Sequence, residues 1–274
     1  MRVAVISDIH GNGPALDAVL ADIAARAVDA VYCLGDVAFQ GPHAAYCVDV
    51  LRERHIPTVR GNTDRYLAGG GRPPGMPSGR ADALLRPWRE ALGPERLAWL
   101  GVLPERLEVT WGGAAALLVH GSPRSDEEPL LPRLPGTGPG GAPGTGPRTG
   151  SPPGADSPGD GGPLAGVDAQ LVLFGHHHLQ LAWRQGGTGP WMVGPGSVGM
   201  PFDGDPRAAY ALITVEEDRG ASRFGAPRMA VTLVRVPYDV EAVIAAHRQA
   251  GLMDYNPLFP AQLRQARMHP APQG

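Results

Sequence analysis

The chain has 274 residues, with 24 basic and 27 acidic residues giving a formal net charge of -3. That length supports one large domain or two small ones, and the near-balanced charge excludes the basic stripe expected of a nucleic-acid-binding surface. The two cysteines, Cys33 and Cys47, make no disulfide framework and read as buried thiols in a reducing compartment. The opening MRVAVISDIH is too short an apolar run for a secretory signal. No apolar stretch approaches the roughly 20 residues needed to span a bilayer. The expectation is a soluble, cytoplasmic protein.

In chain order, Arg2 to Ser7 is apolar and β-branched, as a buried strand should be. Pro14 opens a helix carrying Leu16, Val19, Leu20 and Ile23 at helical spacing. Ala30 to Leu34 predicts a second strand, Pro42 to about Arg54 a second helix, and Thr58 to Arg60 a third strand. This β-α-β-α-β rhythm predicts an α/β layered domain with parallel strands at its start. Arg80 to Leu100 reads as helix, and Leu107 to Thr110 and Ala114 to His120 as a hairpin turning at Gly112-Gly113. From about 134 to 162 Gly and Pro dominate without apolar periodicity, which predicts a mobile insertion inside one domain spanning 1–274. Strands follow at Ala169 to Phe174, Leu181 to Trp183, Trp191 to Val193, Tyr210 to Val215 and Met229 to Val236. A helix capped by Asp239 runs to Ala250, and the end is expected to fray from about Met268.

Polar residues recur just after these strands: Asp8 and His10, Asp36 after Gly35, Asn62 and Asp64 after Gly61, His120 before Gly121, and His176 and His178 after Gly175. Ligand sites of open α/β sheets collect at the carboxyl ends of strands, and glycine leaves room there. Asp8, His10, Asp36, Asn62, His120, His176 and His178 are oxygen and nitrogen donors without a thiolate, suited to Mn²⁺, Fe²⁺, Co²⁺ or Zn²⁺. They are too many for one ion and suit two. In extended backbone side chains alternate, so His176 and His178 should face the rim and His177 should point away.

The ordered motifs DIH at 8–10, GD at 35–36, GN at 61–62, HG at 120–121 and GHHH at 175–178 resemble those of the calcineurin-like metallophosphoesterases. HGSP at 120–123 and SVGMPFDGDPRAAYAL at 197–212 are similar to the compact bacterial phosphodiesterase branch of that superfamily. The resemblance implies a four-layer α/β/β/α sandwich of two mixed sheets with flanking helices. It also implies a centre of two divalent ions, Mn²⁺ first, with Fe, Co, Ni or Zn as alternatives. One ion would take Asp8, His10, Asp36 and His178, and the other Asp36, Asn62, His120 and His176. Asp36 would bridge them, and Asp36, Asn62 and His120 are the implied catalytic residues. The implied chemistry is hydrolysis of a phosphate mono- or diester by a hydroxide bridging the ions. Phosphoprotein phosphatase or nucleotide pyrophosphohydrolase activity, and a non-catalytic scaffold on the same fold, are the alternatives. The expected partner is a small phosphorylated molecule, with neither membrane nor nucleic acid, and a homo-oligomer is compatible.

One position departs from the family pattern. Many members have histidine directly after GN, where this chain has Thr63, which cannot act as a general acid at neutral pH. That tilts the expectation toward diesters or activated esters, with His43 or His177 as candidate substitutes. Asp64 either orients a ligand histidine or caps a helix, and Arg60 and Arg65 are candidates to reach phosphate. Substrate choice should sit in the loops Gly69 to Gly79 and Pro123 to Pro163.

Overall fold

Alternation along single strands determines the layering. In the computed structural model, which describes residues 1–132, 162–216 and 227–269, β1 (Arg2–Ile6) sends Val3 and Val5 to one face and Ala4 and Ile6 to the other. The first pair joins Leu118 on β4 (Ala114–Val119), Leu171 and Leu173 on β5 (Leu171–Leu173), and Ile213 on β8 (Ala208–Glu216) in a core between two sheets. The second pair packs beneath helices. A strand buried on both faces has no polar side, which is why β1 reads as a continuous apolar run.

The first sheet has the order β2-β1-β8-β9, with β2 at Ala30–Cys33 and β9 at Arg228–Val236. β1 pairs β2 in parallel, Val3 opposite Ala30, and β8 antiparallel, Val3 opposite Ile213. The second sheet has the order β3-β4-β5-β7-β6, with β3 at Arg106–Trp111, β6 at Gln180–Arg184 and β7 at Trp191–Pro195. Its β4-β5 and β5-β7 pairs are parallel and its outer pairs antiparallel, so both sheets are mixed.

Helices flank the first sheet. α1 (Gly13–Ala24) buries Leu16, Val19, Leu20 and Ile23, and Asn12 caps it by accepting from the Ala15 amide at 3.2 Å. α2 (Ala44–Glu53) starts after His43, two residues later than Pro42 suggests. The stretch expected as one helix over 80–100 is α4 (Ser78–Val102), broken at Gly93, whose φ of 67° lies in the left-handed region, before Pro94 restarts it. α5 (Val240–Gln249) is capped by Asp239, as its sequence suggests. Over the outer face of the second sheet, among the described residues, Leu130, Leu164 and Val167 cover Val172 and Phe174.

Two features differ from the sequence reading. The expected strand at Thr58 to Arg60 is a single parallel bridge from Thr58 to Cys33, because Arg60 turns its amide to the Pro104 carbonyl at 2.7 Å. α3 (Asn62–Leu67) and α6 (Phe259–Gln265) were not anticipated, being too short to display a helical period. The Gly/Pro-rich segment at about 134–162, all but its last residue, lies outside the described residues, as does the chain from 270. The carboxyl ends of β1, β2, β4 and β5 supply Asp8, Asp36, His120 and His176, and the two parallel pairs bring those ends to one edge.

Candidate metal centre

Asp8 (φ 53°), His10 (48°), Asp36 (55°), His176 (71°) and His178 (60°) all occupy the left-handed backbone region. Each such non-glycine residue costs on the order of 1–3 kcal/mol and persists only where its surroundings over-determine it. Here they do. The Asp8 amide donates to the Gly35 carbonyl at 3.0 Å, and the His10 amide to the Asp36 carbonyl at 2.9 Å. The extended-backbone argument for the histidine triplet is therefore corrected. His176 and His178 do turn toward the cluster, but through left-handed backbone. His177 turns away onto Phe174, ring centroids 5.3 Å apart, with Nδ1 accepting from the Leu179 amide at 2.9 Å.

The side chains converge in two groups that share a carboxylate. His10 Nε2 lies 3.1 Å from His178 Nε2, and Asp8 Oδ1 lies 3.4 Å from His178 Nε2. Asn62 Oδ1 lies 3.0 Å from His120 Nε2 and 3.2 Å from His176 Nδ1. Between them, Asp36 turns Oδ2 to His10 Nε2 at 3.6 Å and Oδ1 to His120 Nε2 at 3.4 Å. Asp8, His10 and His178 could hold one cation; Asp8 also falls within reach of Asp36 and His120, which could hold another.

The donor set tests whether a cation fits. His10, His120 and His178 each direct Nδ1 to a backbone carbonyl: Phe39 at 3.0 Å, Leu34 at 2.7 Å and Met200 at 2.6 Å. A carbonyl only accepts, so each Nδ1 carries a proton, and each ring when neutral presents its Nε2 lone pair to the cluster. The Nε2 lone pairs of His10 and His178 then face each other at 3.1 Å, with Asp8 and Asp36 alongside. Such a buried set of acceptors is repulsive without positive charge among them, and a divalent ion supplies it. The residues fit the group.

Electrostatics points the same way. Burial pushes the Asp36 carboxyl up, but His120, His10 and His176 outweigh it and hold it below the usual carboxylate range. Burial lowers His120, yet Asp36 and then Asp8 raise it to about 10. Burial pushes His178 down to about 4 and also lowers His176. The metal-free cluster thus keeps its proton on the Asp36–His120 pair. That raised value stabilises the metal-free fold fully below the ordinary histidine value of 6.5, and the contribution is lost as pH rises through 10. A metal takes neutral imidazole and must expel the proton. Mn²⁺ uptake should therefore release about one proton, and apparent affinity should rise about tenfold per pH unit between roughly 7 and 9. Calorimetric titration in buffers of different ionisation enthalpy measures both; a pH-independent affinity without proton release would contradict this assignment of the proton.

Close approach explains two motif glycines. A Cβ on Gly61 would lie 2.1 Å from Asp36 Oδ1, and one on Gly175 would lie 2.1 Å from Ser7 Oγ and 2.7 Å from Asp8 Oδ2. Asp64, fully buried, accepts from the amides of Asp36 at 2.8 Å, Val37 at 2.9 Å and Gly61 at 3.0 Å. It hydrogen-bonds no ligand histidine; it caps α3 and, through the same oxygens, holds the backbone of Asp36. Burial and the Asp36 charge raise its pKa to about 6.

Other candidates stand apart. Thr63 gives its backbone amide to Asp36 Oδ1 at 2.9 Å, while its hydroxyl is buried without a partner. His43 sits at the start of α2 with Nδ1 buried and unpartnered. Arg60 is committed to the Gly101 carbonyl and Glu105, and Arg65 to Asp126 and Glu127, so neither guanidinium is turned to the cluster. Sequence reasoning missed the residues that hold the centre from behind. Ser197 Oγ donates to the Asp8 carbonyl at 2.7 Å, Asn12 Nδ2 to the Gly199 carbonyl at 2.9 Å, and Phe202 stacks on His178 at 4.4 Å. The available signal was Gly199, where a Cβ would sit 1.9 Å from the Ile9 carbonyl oxygen. A cleft of about 530 Å³ opens beside the cluster, lined by Arg65, His120, Ser122, Arg124 and Asp126, and only its Pro123–Asp126 side belongs to one of the two expected loops.

Residues 1–141 match the calcineurin-like phosphoesterase superfamily domain. A metallophosphoesterase from Sphaerobacter thermophilus superposes with a TM-score of 0.67 at 28% identity, covering 97% of this chain and 100% of that one. A hypothetical protein from Pyrococcus horikoshii OT3 superposes with a TM-score of 0.69 at 20% identity, over 94% and 97% of the two chains, and shares the fold. An uncharacterized protein of Methanocaldococcus jannaschii is 27% identical over 253 residues, 87% of this chain and 88% of that protein.

Proposed function

The chain belongs to the calcineurin-like phosphoesterase superfamily, and from that membership we propose that it hydrolyses phosphate esters with two divalent ions. The observation that carries this reading is the Asp36 carboxylate, with one oxygen 3.6 Å from His10 and the other 3.4 Å from His120. A single charged group serves both donor sets, as a bridging ligand must. Asp8, His10, Asp36 and His178 would hold one ion, and Asp36, Asn62, His120 and His176 the other, with Mn²⁺ first among ions that accept this oxygen and nitrogen set. Two ions held there would lower the pKa of a shared water and offset charge on the phosphoryl oxygens.

The chain's own residues do the rest. The backbone carbonyls behind His10, His120 and His178 hold a proton on each Nδ1 and aim each Nε2 inward, so the neutral ring offers its Nε2 lone pair to an ion. The Thr63 amide, at the start of α3, donates to the Asp36 carboxylate and fixes its rotation. The cleft beside His120 accommodates the leaving group. With no acidic side chain at 63, proton delivery to a poor leaving group is weak, which favours diesters and activated esters.

The test is hydrolysis of bis-p-nitrophenyl phosphate and p-nitrophenyl phosphate by metal-stripped protein, with and without Mn²⁺. Metal-dependent turnover that is faster on the diester is the expected result. A monoester preference would retain the centre and overturn the diester reading. No turnover with Mn²⁺, Co²⁺, Ni²⁺ or Zn²⁺ would overturn the reading of a general esterase and move the weight to a narrow-substrate enzyme or a non-catalytic scaffold.

No helix among the described residues is long and apolar enough to cross a membrane.

A further inference from the structure

Asn62 and His120 come from different parts of the fold. Asn62 is the first residue of α3; His120 directly follows β4 in the second sheet. Their side chains nonetheless meet at 3.0 Å. The segments behind them are joined by a set of side chains outside the proposed metal ligands. Arg65 on α3 grips Asp126 with two hydrogen bonds, Nε at 2.7 Å and a terminal nitrogen at 2.9 Å, and Glu127 at 2.7 Å. The Tyr66 hydroxyl donates to the same Glu127 oxygen at 2.6 Å. The side chains of Arg65, Asp126 and Glu127 are only 23%, 21% and 31% exposed, so these are not the freely solvated pairs that contribute little.

The loop bearing Asp126 and Glu127 can transmit position to His120. Ser122 and Ser125 close it with reciprocal backbone hydrogen bonds of 2.8 and 3.3 Å. At Gly121 a Cβ would lie 2.5 Å from the Ser125 carbonyl oxygen and 2.9 Å from that of Asp126. The turn is folded against the residue that follows His120.

Tyr66 adds a directional element. A carboxylate only accepts, so the Tyr66 proton goes to Glu127, and the phenol oxygen is left to accept. Asn62 lies four residues earlier on the same helix, on the face that carries Tyr66. The Asn62 Oδ1 faces His120 and His176.

We propose that Arg65, Tyr66, Asp126 and Glu127 form a clamp that sets the separation of Asn62 from His120, and so tunes the affinity of the ion held by those two residues. This rests on the ligand assignment made above. The four are positioning residues, and none of them is among the proposed ligands of either ion.

The test is calorimetric titration of the metal-stripped full chain with Mn²⁺, beside a thermal melt of each metal-free protein. Tyr66→Phe removes one hydroxyl. It should weaken one of two sites about tenfold or more, leave the other unchanged, and keep a cooperative melt. Glu127→Gln, which retains an acceptor for the Tyr66 proton, should lose less. Arg65→Met should weaken the same site as Tyr66→Phe. Adding Tyr66→Phe to Asn62→Ala should cost nothing further, because the first change already removes the group being positioned. Equal weakening of both sites, no weakening, or an additive double variant would overturn the clamp. Should Arg65→Met not fold, Tyr66→Phe alone decides. A wild-type chain that binds fewer than two Mn²⁺ overturns the two-ion reading beneath the proposal, and is recognised before any variant is made.

Discussion

Replacing Asp36 with asparagine is expected to abolish nearly all metal-dependent phosphoesterase turnover, by about 10³-fold or more. The side chain is nearly fully buried, and its two oxygens face His10 and His120 on opposite sides. Asparagine keeps one acceptor oxygen, loses the charge and places an NH₂ donor against imidazole lone pairs. Mn²⁺ stoichiometry should fall below two per chain. Size and shape are preserved, so the melt of the metal-free variant should stay cooperative, and calorimetry should show the metal defect on a folded protein. The same change removes the principal charge that holds His120 protonated, so proton release on metal uptake should fall with it. A variant with full turnover would remove Asp36 from the bridging role.

Asp64→Ala should have the largest effect on stability. One buried carboxylate satisfies the amides of Asp36, Val37 and Gly61. Alanine leaves those donors unpaired at a cost of about 1–3 kcal/mol each. Part of that loss is offset, because the carboxylate is itself costly to bury, as its pKa of about 6 shows. The net expectation is destabilisation of about 3 kcal/mol, a fall in Tm of about 5–10 °C. Asp64→Asn, with one acceptor oxygen left, should fall between wild type and alanine. Mn²⁺ affinity should drop as well, since the freed segment carries Asp36. A calorimetric melt of the metal-free protein separates the two effects; an unchanged Tm for Asp64→Ala would show that those amides find other partners.

Much of this architecture is legible in the chain itself because strands and helices encode burial locally. Val3 to Ile6 is a continuous apolar run of strand length, and Leu16, Val19, Leu20 and Ile23 repeat at the period of a helix. Placement of Asp8, Asp36, His120 and His176 after strands carries the same kind of local information, since the carboxyl end of a strand is where a parallel sheet opens. Short pieces escaped this logic. α3 has six residues, too few for a period, and Thr58 to Arg60 reads as a strand although only Thr58 bridges Cys33. The histidine triplet shows the limit most plainly: the inward and outward faces follow the alternation, but the left-handed backbone at His176 and His178 produces them.

The sequence by itself determined which residue types stand at the ends of which strands, and therefore the donor chemistry available to this protein. Tertiary structure alone decided which donors meet. Asn62 and His120 are 58 positions apart in the chain, and His10 and His178 are 168 apart. It also decided that Asp64 serves backbone amides instead of a histidine, and that Arg65 is held by Asp126 and Glu127 instead of facing the cluster. The reason is physical. Side-chain alternation and capping act over a few residues and leave a periodic mark in the chain. A contact between segments from two sheets depends on how the sheets twist and pack together, and leaves no period to read.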